Sequence, residues 1–166
     1  MSETKITKNK VYLFLDISKT ISSDAWKPAW KRIDRSTQFT LAMNANEQEM
    51  DYIAYEIPIS EVDRYKPEIA QEIAMYRGNP IYDFIEEYFY DLPVGDAIKV
   101  PVLVVFPADA TGVYKAWQVK EARCIPTNFN PVDGKAEFNL KLGGDIQRGT
   151  ATAVDGDPVF TEKTDA

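Results

Sequence analysis

The sequence contains no histidine and only one cysteine in 166 residues. Histidine is the commonest general base and metal ligand among the side chains, so its absence removes the usual starting points for acid–base catalysis and metal binding. A single cysteine, Cys124, excludes both a disulfide within the chain and a cluster of thiolate ligands. Because Cys124 lies in an apolar run, we expect it to be a small core residue rather than a nucleophile.

Long apolar runs are also lacking, and none approaches the roughly 20 residues that a membrane-spanning helix needs. No secretory signal opens the sequence, so we expect no membrane partner and synthesis in a reducing cytoplasm. The length favours a single domain over residues 1–166. Both ends are polar and charged, which predicts flexible arms at about 1–9 and 156–166.

Motifs that handle phosphates or calcium are missing as well. There is no glycine-rich phosphate loop, and Asp155-Gly-Asp-Pro lacks the glutamate that closes a calcium loop. Asp83 and Glu87 would share one face of a helix, but two carboxylates on a solvated face need no active site. The sequence therefore predicts no enzyme, no cofactor and no metal site.

One helix is clearly predicted, at about 80–92. Asn79 suits the N-cap, because its side-chain oxygen can accept from a free first-turn amide, and Pro80 suits the first helical position. Pro93 and Gly95 end the pattern. Apolar residues at helical spacing predict a face that packs on a sheet, and its members are Ile81, Phe84, Ile85, Tyr88, Phe89 and Leu92.

The rest of the chain has the character of strands. Residues 68–76 fit both helical and strand spacing, and we favour a strand because Arg77-Gly78 separates them from the capped helix. These patterns predict a mainly β (α+β) fold: two packed antiparallel β-sheets, as a sandwich or partial barrel, with one flanking α-helix. The other strand-like stretches are 11–17, 37–43, 100–106, 113–125, 135–142 and 146–154.

Residues 44–66 are predicted to form a long hairpin or loop, and loops of this length in compact domains are usually functional. Its six acidic residues are Glu47, Glu49, Asp51, Glu56, Glu61 and Asp63. The first 35 residues have the opposite balance, with basic residues that include Lys5, Lys8 and Lys10. We hypothesise a head-to-tail contact between copies through these two segments. The alternative is that both are ordinary solvated surface.

The order of elements resembles a known family, the major tail protein or tail tube protein of long-tailed bacteriophages and related prophages. The likeness spans nearly the whole chain and no catalytic motif anchors it. It is carried by the stretches Asp24-Ala-Trp to Ala-Met-Asn44, Tyr65-Lys-Pro to Tyr-Arg-Gly78, Ile81-Tyr-Asp to Asp-Leu-Pro93, Tyr114-Lys-Ala-Trp117 and Gly144-Asp-Ile to Thr-Ala-Thr152.

The resemblance implies two packed sheets with one flanking helix, and subunits that form hexameric rings stacked into a tube in the virion tail. It further implies assembly in the bacterial host cytoplasm, tape-measure and tail-terminator partners, and ring-to-ring contacts through a long hairpin and the terminal arms. DNA would pass through the lumen during ejection without specific binding. A net charge of −7 suits that passage, because acidic walls repel phosphates.

Two other functions stay open at this point. A monomeric β-sandwich could bind a ligand such as a carbohydrate through Trp26, Trp30 or Trp117, because amphipathic rings serve that purpose. A carboxylate hydrolase is the third alternative.

Overall fold

The computed structural model describes residues 3, 5–7, 10–18 and 26–163. The described chain is mainly β, with one α-helix, α1 (Pro80–Asp91), and a short 3-10 helix at Gly95–Ile98. The predicted fold class is confirmed. In chain order the strands are β1 (Tyr12–Asp16), β2 (Trp30–Arg32), β3 (Thr40–Ala42), β4 (Asn46–Met50), β5 (Ile59–Arg64), β6 (Glu68–Ala74), β7 (Val102–Val105), β8 (Tyr114–Val119), β9 (Arg123–Asn130), β10 (Lys135–Lys141), β11 (Ile146–Thr152) and β12 (Val159–Glu162).

The strands form three antiparallel sheets. The large sheet has the order β12-β11-β8-β7-β1-β2, and the small sheet has the order β3-β6-β10-β9. Strands β4 and β5 pair only with each other. Residues 68–76, which fitted two patterns, contain strand β6, so the preference for a strand is confirmed. Its alternating burial follows from its place in a sheet with only one face on the core.

The main core lies between the large sheet, the small sheet and α1. Leu13 and Leu15 of the large sheet meet Ile69 and Phe138 of the small sheet there, and all four are buried. Every residue of β1 is buried because the large sheet curls around a second core on its other face. Fully burying one such side chain contributes about 1.5–3 kcal/mol, so these two cores supply the driving force for the fold.

The second core includes a strand that the sequence did not predict. Residues 156–166 were expected to be a loose arm, but Val159–Glu162 pairs with β11, and Phe160 packs on the second core. Residues 164–166 lie outside the described part. The β-branched and aromatic side chains of the strand favour extended structure. Gly149 allows the approach, because a Cβ there would collide with the carbonyl oxygen of Thr161.

The helix begins as predicted. Asn79 is the N-cap, and its side-chain oxygen accepts from the amides of Ile81 at 3.0 Å and Tyr82 at 3.2 Å. Residues Ile81, Phe84, Ile85 and Tyr88 are buried in the main core. Phe89 is only partly buried, and its ring lies 5.3 Å from that of Phe129 on β9.

The predicted helix face is wrong at one position. Leu92 is 74% exposed, because it is the C-cap with left-handed backbone angles (φ 51°, ψ 55°), so its side chain no longer follows the helical repeat. Tyr82, which the spacing did not include, is 6% exposed, and its hydroxyl donates to Glu86 at 2.7 Å. Local backbone geometry at the helix end and a polar partner on the surface account for the two differences.

The stretch 113–125, predicted as one strand, is divided between β8 of the large sheet and β9 of the small sheet. The chain crosses between the sheets at 120–122. It crosses back after β10, where Gly144 has φ 68° and a Cβ would lie 2.7 Å from the Glu121 side chain. The two crossings pack against each other at this end of the sandwich, and only glycine fits the second one.

Candidate interaction surface

Residues 46–64 form a hairpin that stands apart from both cores. Strands β4 and β5 pair with Gln48 opposite Glu61 and Met50 opposite Ile59. At its base the Lys66 amide donates to the Met43 carbonyl at 3.1 Å. Every residue from 51 to 66 is exposed. A two-stranded hairpin alone is marginally stable at best in water, so this element lacks the support that the other strands obtain from packing.

The tip of the hairpin is apolar as well as exposed. Tyr52, Ile53, Tyr55 and Ile57 are 49%, 106%, 57% and 76% exposed. The Tyr55 amide donates to the Tyr52 carbonyl at 3.1 Å, and the two rings meet edge to face with centroids 6.3 Å apart. A contiguous group of exposed apolar side chains marks an interaction site. Acidic residues dominate this segment in the sequence, and its apolar tip was not predicted.

The acidic side chains of the hairpin flank this tip, and both faces of the hairpin carry acids. The register places Glu47 and Glu49 on one face and Glu61 on the other. The Asn46 amide group donates to Asp63 at 3.5 Å. All six predicted positions are exposed: Glu47, Glu49, Asp51, Glu56, Glu61 and Asp63.

The basic residues proposed as their partners lie at the start of the chain. Lys5 and Lys10 are exposed, and Lys8 falls outside the described residues. Among the described residues, no ion pair joins the hairpin to these lysines within one subunit. A contact between copies through Lys5 or Lys10 therefore remains a prediction.

The three tryptophans do not form one platform. Trp30 is 6% exposed and Trp26 meets it edge to face, both on the second core. Trp117 packs on the opposite face of the large sheet, where it meets Phe106 edge to face at 4.9 Å. A carbohydrate face built from all three rings is thus excluded by the sheet between them.

Two residues that could have carried chemistry are structural. The Asp16 carboxylate, 2% exposed, accepts from the Trp26 indole at 2.7 Å and from the amides of Ser18 and Ala29, each at 2.9 Å. These hydrogen bonds hold the segment before β2 against the end of β1. Burial raises the pKa of the Cys124 thiol to about 12, so the reactive thiolate is not populated at neutral pH.

A cleft of about 380 Å³ lies beside the end of α1 and includes Asp16, Glu87, Asp91, Asp96 and Lys99. Within the described ranges, no group of three or more cysteine or acidic side chains could hold a metal ion. Nor does that part of the chain contain a helix long and apolar enough to cross a membrane.

Comparison with known proteins gives one kind of match. No protein-family model and no curated protein matches the sequence. Solved structures do match over most of the chain. A chain from the virion of a native gene transfer agent particle superposes with a TM-score of 0.56 at 10% identity, covering 87% of this chain and 98% of its own length.

Two further structures agree. The sheath/tube terminator structure of an extracellular contractile injection system in its extended state gives a TM-score of 0.53 at 9% identity, with 89% and 99% of the two chains covered. The tail of an empty gene transfer agent particle gives 0.52 at 12% identity, with 86% and 97% covered. The chain shares its fold with these three structures, two of which are a tail and a sheath/tube terminator. The resemblance found in the sequence is therefore confirmed at the level of the fold.

The shared fold covers 97–99% of the length of these neighbours. At identities of 9–12%, the match identifies the arrangement of sheets and helix and transfers no residue roles. The residues of a candidate interaction surface are therefore those of this chain's own hairpin and exposed side chains.

Proposed function

We propose that the protein is a structural subunit of a phage-like virion tail, a tail tube protein that assembles with itself into stacked hexameric rings. The observation that carries the proposal is the hairpin at 46–64, whose apolar tip projects into solvent with no core of its own. A monomer gains nothing from exposing Ile53 and Ile57. A subunit that stacks on copies of itself gains about 1.5–3 kcal/mol for each large apolar side chain that becomes fully buried.

A hairpin that is exposed and pairs with no other strand suits a repeating contact. A segment that leaves one copy and docks on a different surface of the next makes a heterologous interface, and such an interface propagates along an axis when it does not close on itself. The acidic residues of the hairpin would orient the approach to a basic surface. Among the neighbours, one comes from a tail with C6 symmetry, and this supports rings of six.

The charge of the subunit suits the passage of DNA through the lumen without specific binding. At a net charge of −7, each subunit repels phosphates, and a lumen without basic stripes would avoid the affinity that comes from counterion release. In this function the tube would be completed by tape-measure and tail-terminator proteins, and its subunits would be made and assembled in the bacterial host cytoplasm. The likeness to a sheath/tube terminator, to a virion and to a tail supports this placement.

Electron microscopy of the purified protein and of a hairpin deletion tests the proposal. We expect rings or tubes from the unaltered chain, and none from a variant in which residues 46–62 are replaced by a short glycine–serine link. The deleted segment contributes no residue to either core, so the variant should still fold. Val132→Asp is the matched control, because Val132 is 92% exposed on a different loop. Tubes of normal length from the deletion variant would contradict the proposal.

A further inference from the structure

A second exposed surface combines aromatic side chains with basic ones, whereas the charged side chains that flank the hairpin tip are acidic. A groove of about 520 Å³ crosses the outer part of the large sheet, on the strands β8, β11 and β12. Its floor contains the edge-to-face pair Phe106 and Trp117, both partly buried. Its sides carry three exposed cationic residues: Lys115, Arg148 and Lys163. We call this surface the basic groove.

The sheet register explains how residues far apart in sequence meet there. Arg148 lies opposite Trp117, and Lys115 lies opposite Thr150. Thr161 of β12 lies opposite Thr150, and the Lys163 amide donates to the Arg148 carbonyl at 2.8 Å. Because directly paired residues in antiparallel strands point to the same face, the three cations surround one aromatic floor.

The positive charge of the basic groove is only weakly neutralised within the subunit. None of its three cationic side chains forms an ion pair with a described residue. Lys115 helps to lower the pKa of Asp109, after that carboxylate's hydrogen bonds from Thr111 and Val113. Glu162 is the one acidic residue in the lining.

We propose that the basic groove receives the hairpin tip of a second copy of this chain. The inference rests on the proposed function and names the surface that the hairpin contacts. Tyr52, Ile53 and Tyr55 offer apolar side chains to the aromatic floor, and the flanking acids, such as Glu49 and Glu56, offer charges opposite to the groove's sides. Apolar burial at the centre with charge pairing at the rim is the usual anatomy of a specific interface.

The occupant comes from another copy. Ile53 is fully exposed at 106%, so the tip does not rest in the groove of its own subunit. The N-terminal lysines Lys5 and Lys10 are the competing receptor, since they supply charge too. Neither core includes residues 5–7 or 10, whereas the basic groove has an aromatic floor, so the groove offers the apolar tip a surface on which to be buried.

Disulfide trapping between two single-cysteine variants tests the contact. Ile53→Cys protein is mixed with Thr161→Cys protein under mild oxidation, and each variant retains all three groove cations. The native Cys124 is buried, so it should contribute no background. Ile53→Cys mixed with Val132→Cys is the matched control, and Ile53→Cys mixed with Lys5→Cys tests the competing receptor. We expect a covalent dimer from the groove pair, in excess over both other mixtures.

Charge reversal provides a second test of the contact. Arg148→Glu should lower the yield of the trapped dimer several-fold, and Glu49→Lys in the Ile53→Cys partner should restore part of it. Added salt should lower the yield with unaltered charges, by screening. Trapping to Lys5→Cys, or tubes without any trapping in the groove, would overturn the inference while the proposed tube function stands. Trapping in the groove without rings or tubes would support the contact and contradict the tube.

Discussion

The helix α1 and the hairpin at 46–64 both carry large apolar side chains, which are mostly buried in the helix and exposed in the hairpin. Ile81, Phe84 and Ile85 of the helix are at most 7% exposed in the main core. Ile53 and Ile57 of the hairpin are at least 76% exposed. The two elements also differ in support, since the helix contacts β9 and β2, whereas the hairpin strands pair only with each other. Apolar content alone thus does not show which segment is buried when the subunit folds.

What distinguishes them is whether the backbone places the apolar side chains next to a surface of the same chain. The helix lies against two sheets, so its side chains lose water when the subunit folds. The hairpin leaves the small sheet between β3 and β6 and meets neither core. Changes in the helix should therefore act on stability, and changes in the hairpin should act on association.

The largest effect on stability is expected from Phe84→Ala. Truncating a buried phenylalanine costs about 3–5 kcal/mol of unfolding free energy, because transfer energy is lost and a cavity remains. Phe89→Ala is the comparison within the same helix, and it should cost less because Phe89 is only partly buried against Phe129. Denaturant unfolding of both variants measures the two costs. Equal costs would show that Phe84 and Phe89 do not differ in burial.

A smaller effect is expected at Asp16. In Asp16→Asn one oxygen can still accept from the Ser18 and Ala29 amides, but the new amino group would face the Trp26 indole N–H, donor against donor. Loss of a hydrogen bond to a charged group costs about 1.5–3 kcal/mol. Trp26→Phe removes the same bond from the other side, so the double variant should cost less than the sum of the single changes. Strict additivity would mean that the Asp16–Trp26 bond contributes nothing.

The parts of the fold that rest on local signals could be predicted from the sequence. Asn79 and Pro80 are residue types that favour the start of a helix, and apolar and polar residues alternate along β10. Both elements were therefore predicted. Leu92 could not be assigned, because its exposure depends on a left-handed cap. The turn at Lys120 and Glu121 contains no glycine or proline. The crossing between the sheets was therefore not predicted there.

The interaction surface was predictable only in part. The acidic residues of 44–66 lie within one segment of the sequence, so that segment could be recognised. The basic groove could not, because Lys115 on β8, Arg148 on β11 and Lys163 just after β12 meet only through the register of the large sheet. The pairing of β12 with β11 was missed for a related reason: a four-residue strand next to polar residues gains its stability from the sheet edge with which it pairs.

The most direct test of the account uses the variant Ile53→Ser with Ile57→Ser, measured for both unfolding and assembly. Both side chains are exposed in the subunit, and surface substitutions usually change stability by no more than about 0.5 kcal/mol. We predict an unchanged unfolding free energy together with loss of rings and tubes by electron microscopy. A destabilised subunit, or tubes of normal length from a normally stable one, would contradict the claim that the hairpin serves assembly rather than folding.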